Sequence, residues 1–498
     1  MIELAPIEKL VPASYNPRSV DPTRLALIKL SIQKLGWLLP TYASIGGELL
    51  SGHQRSHVAR DLGYTNIPTQ WMEAMDDGLR KAVNILFNRS TNDMDVNDVP
   101  ADLKAAFLRT DTQAMADKLP DRKDWYPCLD ATEEDIAPYV KANAGKWISY
   151  ARNVAASLYG HGIIMPIIVG PNMQVVNGIG RLQMLAEKRI KTAHFVHLTQ
   201  DEADFAHLTL NLLSMDFNVE SHYADTLRHN SFRRLRRARS ELGLGFFFSF
   251  RDPSNTRNFS YEKTSDIKAW VEAHGTSIVD FGAGHLHETD ILRSMGIHVN
   301  PFEPYRVLDT NEIDKTASIE NATAFLAEIA TGKRYSSVFI SSVLNSVPFM
   351  ADRKCIAKIC SALCGPRTTL YAWATANNHY NIQGQMQAKG LSNRAIKANC
   401  FSLNYEPNIV LGDFQAAPKV QKYHSPEEFY DVFSGSFERV EVKAYDQSVG
   451  AICQGSRGTE GLRDALAFEF DLPYPDGTRM GLADVAIAAF SKRLQTQL

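Results

Sequence analysis

The chain has no run of about 18 apolar residues, the length a membrane helix needs. It opens Met1-Ile2-Glu3, without a basic-then-apolar leader. Nor has it a surplus of positive charge, since 53 Lys and Arg stand against 56 Asp and Glu, a net −3. Such a molecule has no general attraction for phosphate, so any nucleic-acid contact must come from a local patch. Cysteine is scarce, with six in 498 residues and no Cys-x-x-Cys pair. Cys355, Cys360 and Cys364 fall in one expected helix at spacings of five and four, which do not converge on one face. They read as reduced core thiols, and no metal site is expected. These absences give the expectation of a cytoplasmic protein with no membrane partner.

Hydrophobic content of 44% and charged content of 22% describe a chain able to bury a full core. Its length suggests roughly two to four domains.

The stretch that organises the chain is Ser277-Ile278-Val279-Asp280-Phe281-Gly282-Ala283-Gly284-His285. It reads as a strand, a tight glycine turn, and then a helix over Glu288–Met295. Glycines suit a place where the backbone turns sharply and a ligand approaches closely. A second strand, Ile297-His298-Val299, runs to Phe302-Glu303 and puts an acid nineteen residues beyond the last glycine. An acid at the tip of strand two can accept hydrogen bonds from ribose hydroxyls. His287 occupies the third position of a Gly-x-Gly-x-x-Gly, so a dinucleotide site fits less well.

The pattern resembles motifs one and two of class I S-adenosylmethionine-dependent methyltransferases. The resemblance implies S-adenosylmethionine as cofactor, with Asp280, Gly282, Gly284 and Glu303 binding it. After Glu303, helices over Asn321–Ala330 and Asp352–Leu363 alternate with strands at Tyr335–Asn345 and Thr368–Thr375. That rhythm predicts a doubly wound, mostly parallel sheet with its ligand crevice at the carboxyl ends of the strands. Strand-like Phe437–Tyr445 and Ala465–Leu472 and a final helix near 481–495 would complete it. In this class the end of the fourth strand faces the acceptor. Here it reads Ser342-Val343-Leu344-Asn345, which lacks the signatures of adenine-N6 and cytosine-N4 transfer; Pro127-Cys128 lies too far upstream to mark cytosine C5. Methyl transfer needs placement and sometimes a base, so His285 and Asn345 are the catalytic candidates, with His287 nearby. Polar residues 255–263 suit a lid over the donor, and 377–399 an insertion over the acceptor.

The amino-terminal half repeats itself. A strand over 2–11 and the turn Tyr15-Asn16-Pro17-Arg18 precede a helix near Pro22–Lys34 and a short strand at Thr41–Ile45. Ser51-Gly52-His53-Gln54-Arg55 then opens another helix to Leu62. About residues 1–95 resemble the amino-terminal domain of the ParB/sulfiredoxin superfamily, through Tyr15–Arg18, Gly36 with Pro40, and Gly52–Arg55. The resemblance implies nucleotide binding, CTP or ATP, at Gly52, His53, Gln54 and Arg55, with Asn84, Asn88 and Arg89 as a further box. No cysteine stands where sulfiredoxin has its catalytic one, so sulfinic-acid reduction is not expected. Gly162 and Pro166 are then spaced like Gly36 and Pro40, and Gly178 and Arg181 like Gly52 and Arg55. One register held over about fifty residues reads as an internal duplication. The second copy has drifted, with Asn177-Gly178-Ile179-Gly180-Arg181 as its turn, so the first is favoured for nucleotide. The alternative is that both copies are scaffolds. No helix-turn-helix signal follows either copy.

Arg228–Arg239 carries six arginines in twelve residues. Arg233, Arg236 and Arg237 share a helical face, Arg234 points elsewhere, and phosphate neutralisation is the physical use of such a cluster. The alternative is a solvated helix, or arginines paired with the acidic stretch near 93–124. Four phenylalanines within Phe246–Phe250 suit a core or domain interface, with an aromatic platform for bases as the alternative.

The expected organisation is α/β: ParB/sulfiredoxin-like domains at 1–110 and 125–225, a basic and aromatic linker at 226–260, and a methyltransferase-like domain at 261–498. Fused in this order, they resemble modification proteins of bacteriophages and mobile elements. The first reading is therefore a methyltransferase acting on nucleic acid, with DNA favoured and a homodimer left open. The alternatives are a nucleotide-dependent DNA-binding switch with a non-catalytic methyltransferase fold, and a methyltransferase with a small-molecule acceptor.

Overall fold

A computed structural model describes residues 2–13, 22–73, 75, 77–90, 110–146, 155, 158–160, 162–215, 224–229, 250–255, 259–308, 310, 312–377, 401–402, 405–412 and 419–498. The chain is α/β and forms two compact units, one holding residues 1–224 and the other most of 225–498. No described helix is long and apolar enough to cross a membrane.

The first unit holds two four-stranded sheets. One contains β1 (Ile2–Pro6), β2 (Thr41–Ser44), β3 (Leu49–Ser51) and β4 (Asn66–Met72) in the order β1-β4-β2-β3. The other contains β5 (Thr132–Asp135), β6 (Ile167–Val169), β7 (Val175–Asn177) and β8 (Thr192–His197) in the order β5-β8-β6-β7. Sense matches position for position. β1 and β5 run antiparallel to β4 and β8, β2 and β6 run parallel to them, and β3 and β7 return antiparallel. A bulge interrupts β2–β3 and β6–β7 alike. Each sheet hands over to a helix, His53–Asp61 or Ile179–Glu187, through a glycine held left-handed at φ 93° (Gly52) or 108° (Gly178). The duplication read from glycine and proline spacing is thus a duplication of topology. The first strand is shorter than the alternation over 2–11 suggested, because Ile7–Lys9 turns into a 3-10 helix after Pro6.

The copies are stitched together by partly buried polar contacts. The Tyr42 hydroxyl donates to the Ile164 carbonyl at 2.8 Å, and the Gln70 amide bonds the Gly162 carbonyl and the Ile164 N–H. Leu35, Leu38 and Leu39 of the first copy share a core with Ile168, Val196 and Phe205 of the second.

The second unit is built on a six-stranded sheet. β9 (Ser277–Phe281), β10 (His298–Phe302), β11 (Ser337–Ser341) and β12 (Thr369–Thr375) are parallel in the order β10-β9-β11-β12. Strands Ser448–Ser456 and Phe437–Ala444 extend the β12 edge, each antiparallel to its neighbour. The parallel strands are apolar on both faces. Val279, Val338 and Ile340 enter the core that holds Phe325, Leu326 and Ile356; Ile278 and Phe339 enter the opposite core around Trp270 and Leu292. Helices covering both faces demand this near-continuous apolar composition.

Two readings change here. Ala465–Leu472 is not a strand, because Leu462–Glu469 forms a helix burying Leu462, Ala465, Leu466 and Glu469 at helical spacing. Ser448–Ser456 is a strand that the sequence analysis did not anticipate.

Candidate functional site

The strand order reverses between β9 and β11. From β9 the chain steps to β10 on one side, then returns to lay β11 on the other. In open parallel sheets such a switch point leaves a crevice at the carboxyl ends of the strands. A cavity of about 200 Å³ lies there, lined by Gly282, Gly284, His285, Glu303, Ser342 and Glu469 among others. Gly282, Gly284, Glu303 and His285, singled out in the sequence, therefore converge.

Local contacts fix the turn. Gly282 has φ 89°, and a Cβ on it would stand 2.2 Å from Val343 Cγ2, so no other residue fits without displacement. The N–H groups of Gly282 and Ala283 both donate to the Phe302 carbonyl, at 2.7 and 3.0 Å. Gly284 N–H donates to Glu303 Oε2 at 2.8 Å, and Tyr305 N–H donates to Oε1 at 3.0 Å. Arg306 Nη1 donates to the Gly284 carbonyl at 2.9 Å. Glu303 is thus first a clamp between the two strand ends. Each carboxylate oxygen still has a lone pair beyond the N–H it accepts.

Asp280 stands behind the cavity and is not one of its lining residues. It is 3% exposed and accepts from Thr289 Oγ1 at 2.8 Å, which fastens the helix His287–Ser294 to β9. Burial pushes both the Asp280 and the Glu303 carboxyl up to about 7.

Asn345 is placed differently from the sequence expectation. It is buried, its Nδ2 donates to the Lys422 carbonyl at 2.9 Å, and its Oδ1 accepts from Thr375 N–H at 3.1 Å. With both ends of the amide engaged by backbone, Asn345 ties β12 to the segment at Lys422. A catalytic role for it has no geometric support. His285 is half-buried at the cavity wall.

Two more residues line the cavity: Ser342, at the strand end that the sequence places beside the crevice, and Glu469, which the sequence reading missed. Ser342 has φ 61°, a left-handed conformation rare outside glycine, and its N–H donates to the Trp373 carbonyl at 2.7 Å. Such a residue costs on the order of 1–3 kcal/mol and recurs at ligand sites. Glu469 is 4% exposed and ends the helix Leu462–Glu469. Burial first, then the neighbouring Asp352 and Glu303 carboxyls, hold its carboxyl well above the usual range. In its protonated form it can donate a hydrogen bond.

The other expected sites are in the first unit or outside the described residues. His53 Nε2 accepts from Ala13 N–H at 3.2 Å, Gln54 accepts from Arg24 at 2.8 Å, and Arg55 donates to the Leu39 and Pro40 carbonyls at 2.6 and 3.1 Å. Arg55 thus pins the loop ahead of β2. Asn84 donates to the Leu50 carbonyl at 2.7 Å. Asn88 and Arg89 belong to the helix Asp77–Ser90, and their side chains lie outside the described residues. The same is true of Arg233, Arg234, Arg236 and Arg237, and of the turn 15–18 and the segment 378–400. Arg228, the described member of the arginine run, pairs with Asp352 at 2.8 Å and with Asp225 at 3.2 Å. Among the described residues no cluster of three or more His, Cys, Asp or Glu could hold a metal.

Comparison with known proteins adds little. No family model matches the chain, and no curated protein matches it. Among solved structures, the C-terminally truncated chromosome-partitioning protein ParB from Caulobacter crescentus, complexed with CTP-gamma-S, is 17% identical over 43% of this chain and 97% of that one. The TM-score is 0.19, too low to carry an argument.

Proposed function

We propose that the chain is an S-adenosylmethionine-dependent methyltransferase that acts on nucleic acid, DNA being favoured. The observation that carries this reading is the convergence of the glycine turn, the Glu303 carboxylate and the left-handed Ser342 on one cavity at the switch point of a parallel sheet.

The residues suit an adenosyl donor in three respects. Glu303 keeps acceptor capacity for ribose hydroxyls, Glu469 can donate when protonated, and neither opposes a cationic sulfonium. The cavity of about 200 Å³ falls below the roughly 300–1,000 Å³ typical of drug-sized sites, so a donor would fill it and extend beyond its mouth. When bound, the donor would supply the methyl group. The chain's own share is to hold and orient the donor, and His285 at the wall is a side chain able to accept a proton.

The acceptor rests on the sequence alone, through the arginines at 233–237. A labelled-methyl assay on DNA, RNA and small-molecule extract tests the reading. Label in DNA or RNA supports it, and label confined to small molecules moves the acceptor to the alternative class. Absence of transfer, with donor binding intact, would make the fold a ligand-binding module.

A further inference from the structure

The second copy of the duplicated fold contains a cavity that the glycine-turn site does not explain. It measures about 330 Å³ and lies at the turn Gly178–Arg181, against the helix Ile179–Glu187 and the strand β8. Its walls are mostly apolar. Leu158, Ile163, Met184 and Leu185 are buried, whereas Tyr159 and Ile164 are 44% and 40% exposed, unusual for large apolar side chains.

Among the described lining residues, one buried cation faces this apolar volume. Arg181 lines the cavity, is 8% exposed, and donates through Nη2 to Asn177 Oδ1 at 2.6 Å. A second cation, Lys188, stands over the Tyr159 ring at 5.4 Å. The matching Arg55 of the first copy donates to the Leu39 and Pro40 carbonyls, and Arg181 donates to Asn177 and lines the cavity.

We propose that this cavity binds a small amphipathic monoanion, a monocarboxylate with a medium-length aliphatic body. The carboxylate would meet the Arg181 guanidinium, whose planar fork suits it. The aliphatic body would replace water along Leu158, Ile163, Met184 and Leu185. A nucleoside triphosphate fits poorly. Among the described lining residues its several negative charges would face one buried cation, apolar walls, and the Glu133 carboxylate. The inference is independent of the methyltransferase reading, because the two cavities share no residue.

The test uses the full chain, with octanoate, 1-octanol and CTP as probes, read by thermal shift and calorimetry. Octanoate is expected to bind and stabilise, 1-octanol to bind on the order of ten-fold more weakly, and CTP not to displace octanoate. Arg181→Gln should bring octanoate down to the level of the alcohol. Leu158→Trp, which fills the cavity without touching the arginine, should abolish both. If Arg181→Gln does not fold, Leu158→Trp decides alone. Failure of octanoate to bind the wild-type chain would overturn the proposal, as would unchanged binding in Leu158→Trp or displacement of octanoate by CTP.

Discussion

The Glu303 carboxylate and the amide of Gly284 meet at 2.8 Å, so the acid at the tip of β10 also holds the turn that follows β9. Glu303→Ala leaves the Gly284 and Tyr305 N–H groups without their acceptor, at roughly 1–3 kcal/mol for each one left buried. The variant is expected to melt earlier by that margin, and Glu303→Gln, which keeps an acceptor oxygen, to lose less. Equal stability of wild type and Glu303→Ala in denaturant titrations would contradict the clamp.

Stability should respond to pH through the same group. Glu303 titrates near 7 when folded and in the ordinary carboxylate range when unfolded, so between those values the folded state holds more protons. Its contribution is therefore complete at low pH and is lost as pH rises toward and through 7. Asp280 acts in the same sense. Glu303→Gln should flatten the fall in stability between pH 5 and 7 by at most about 1.4 kcal/mol per pH unit. A variant curve parallel to the wild type would show that Glu303 is ionised throughout.

Asn345 is predicted to matter for folding and not for chemistry. Asn345→Ala removes the partners of the Thr375 N–H and the Lys422 carbonyl, again about 1–3 kcal/mol for each group left buried. Donor affinity and transfer by the folded variant should stay at wild-type level. A specific loss of turnover at unchanged stability would return Asn345 to the catalytic candidates.

Much of this was legible in sequence because it is local. The glycine turn and the acid beyond it are neighbours along the chain as well as in space, and the duplication shows in spacings that survive side-chain drift. The rest is tertiary. Glu469 joins the cavity from a helix near the end of the chain, and nothing around it marks it as more than one acid among 56 Asp and Glu. Alternating apolar residues made Ala465–Leu472 look like a strand, although Leu462, Ala465, Leu466 and Glu469 already had helical spacing. Ser448–Ser456 carries two glycines and little β-branched character, so its pairing with β12 and with Phe437–Ala444 reveals it. The carbonyls that Arg55 holds, Leu39 and Pro40, cannot be seen in a motif.

The arginines at 233–237 supply a prediction that needs only charge. Each one that neutralises a phosphate steepens the salt dependence of binding by about one log–log unit. Replacing Arg233, Arg236 and Arg237 by Ala should flatten the slope for DNA by up to roughly three units and leave donor binding unchanged. An unchanged slope would mean a solvated helix.

The central claim is that the cavity between Gly282, Glu303 and Glu469 receives an adenosyl donor, and calorimetry with S-adenosylmethionine tests it most directly. The account predicts saturable one-site binding to the wild-type chain. It predicts binding roughly 10- to 150-fold weaker in Glu303→Ala, the value of one charged hydrogen bond of about 1.5–3 kcal/mol. No binding to the wild type, or equal affinity in a folded Glu303→Ala chain, would contradict it.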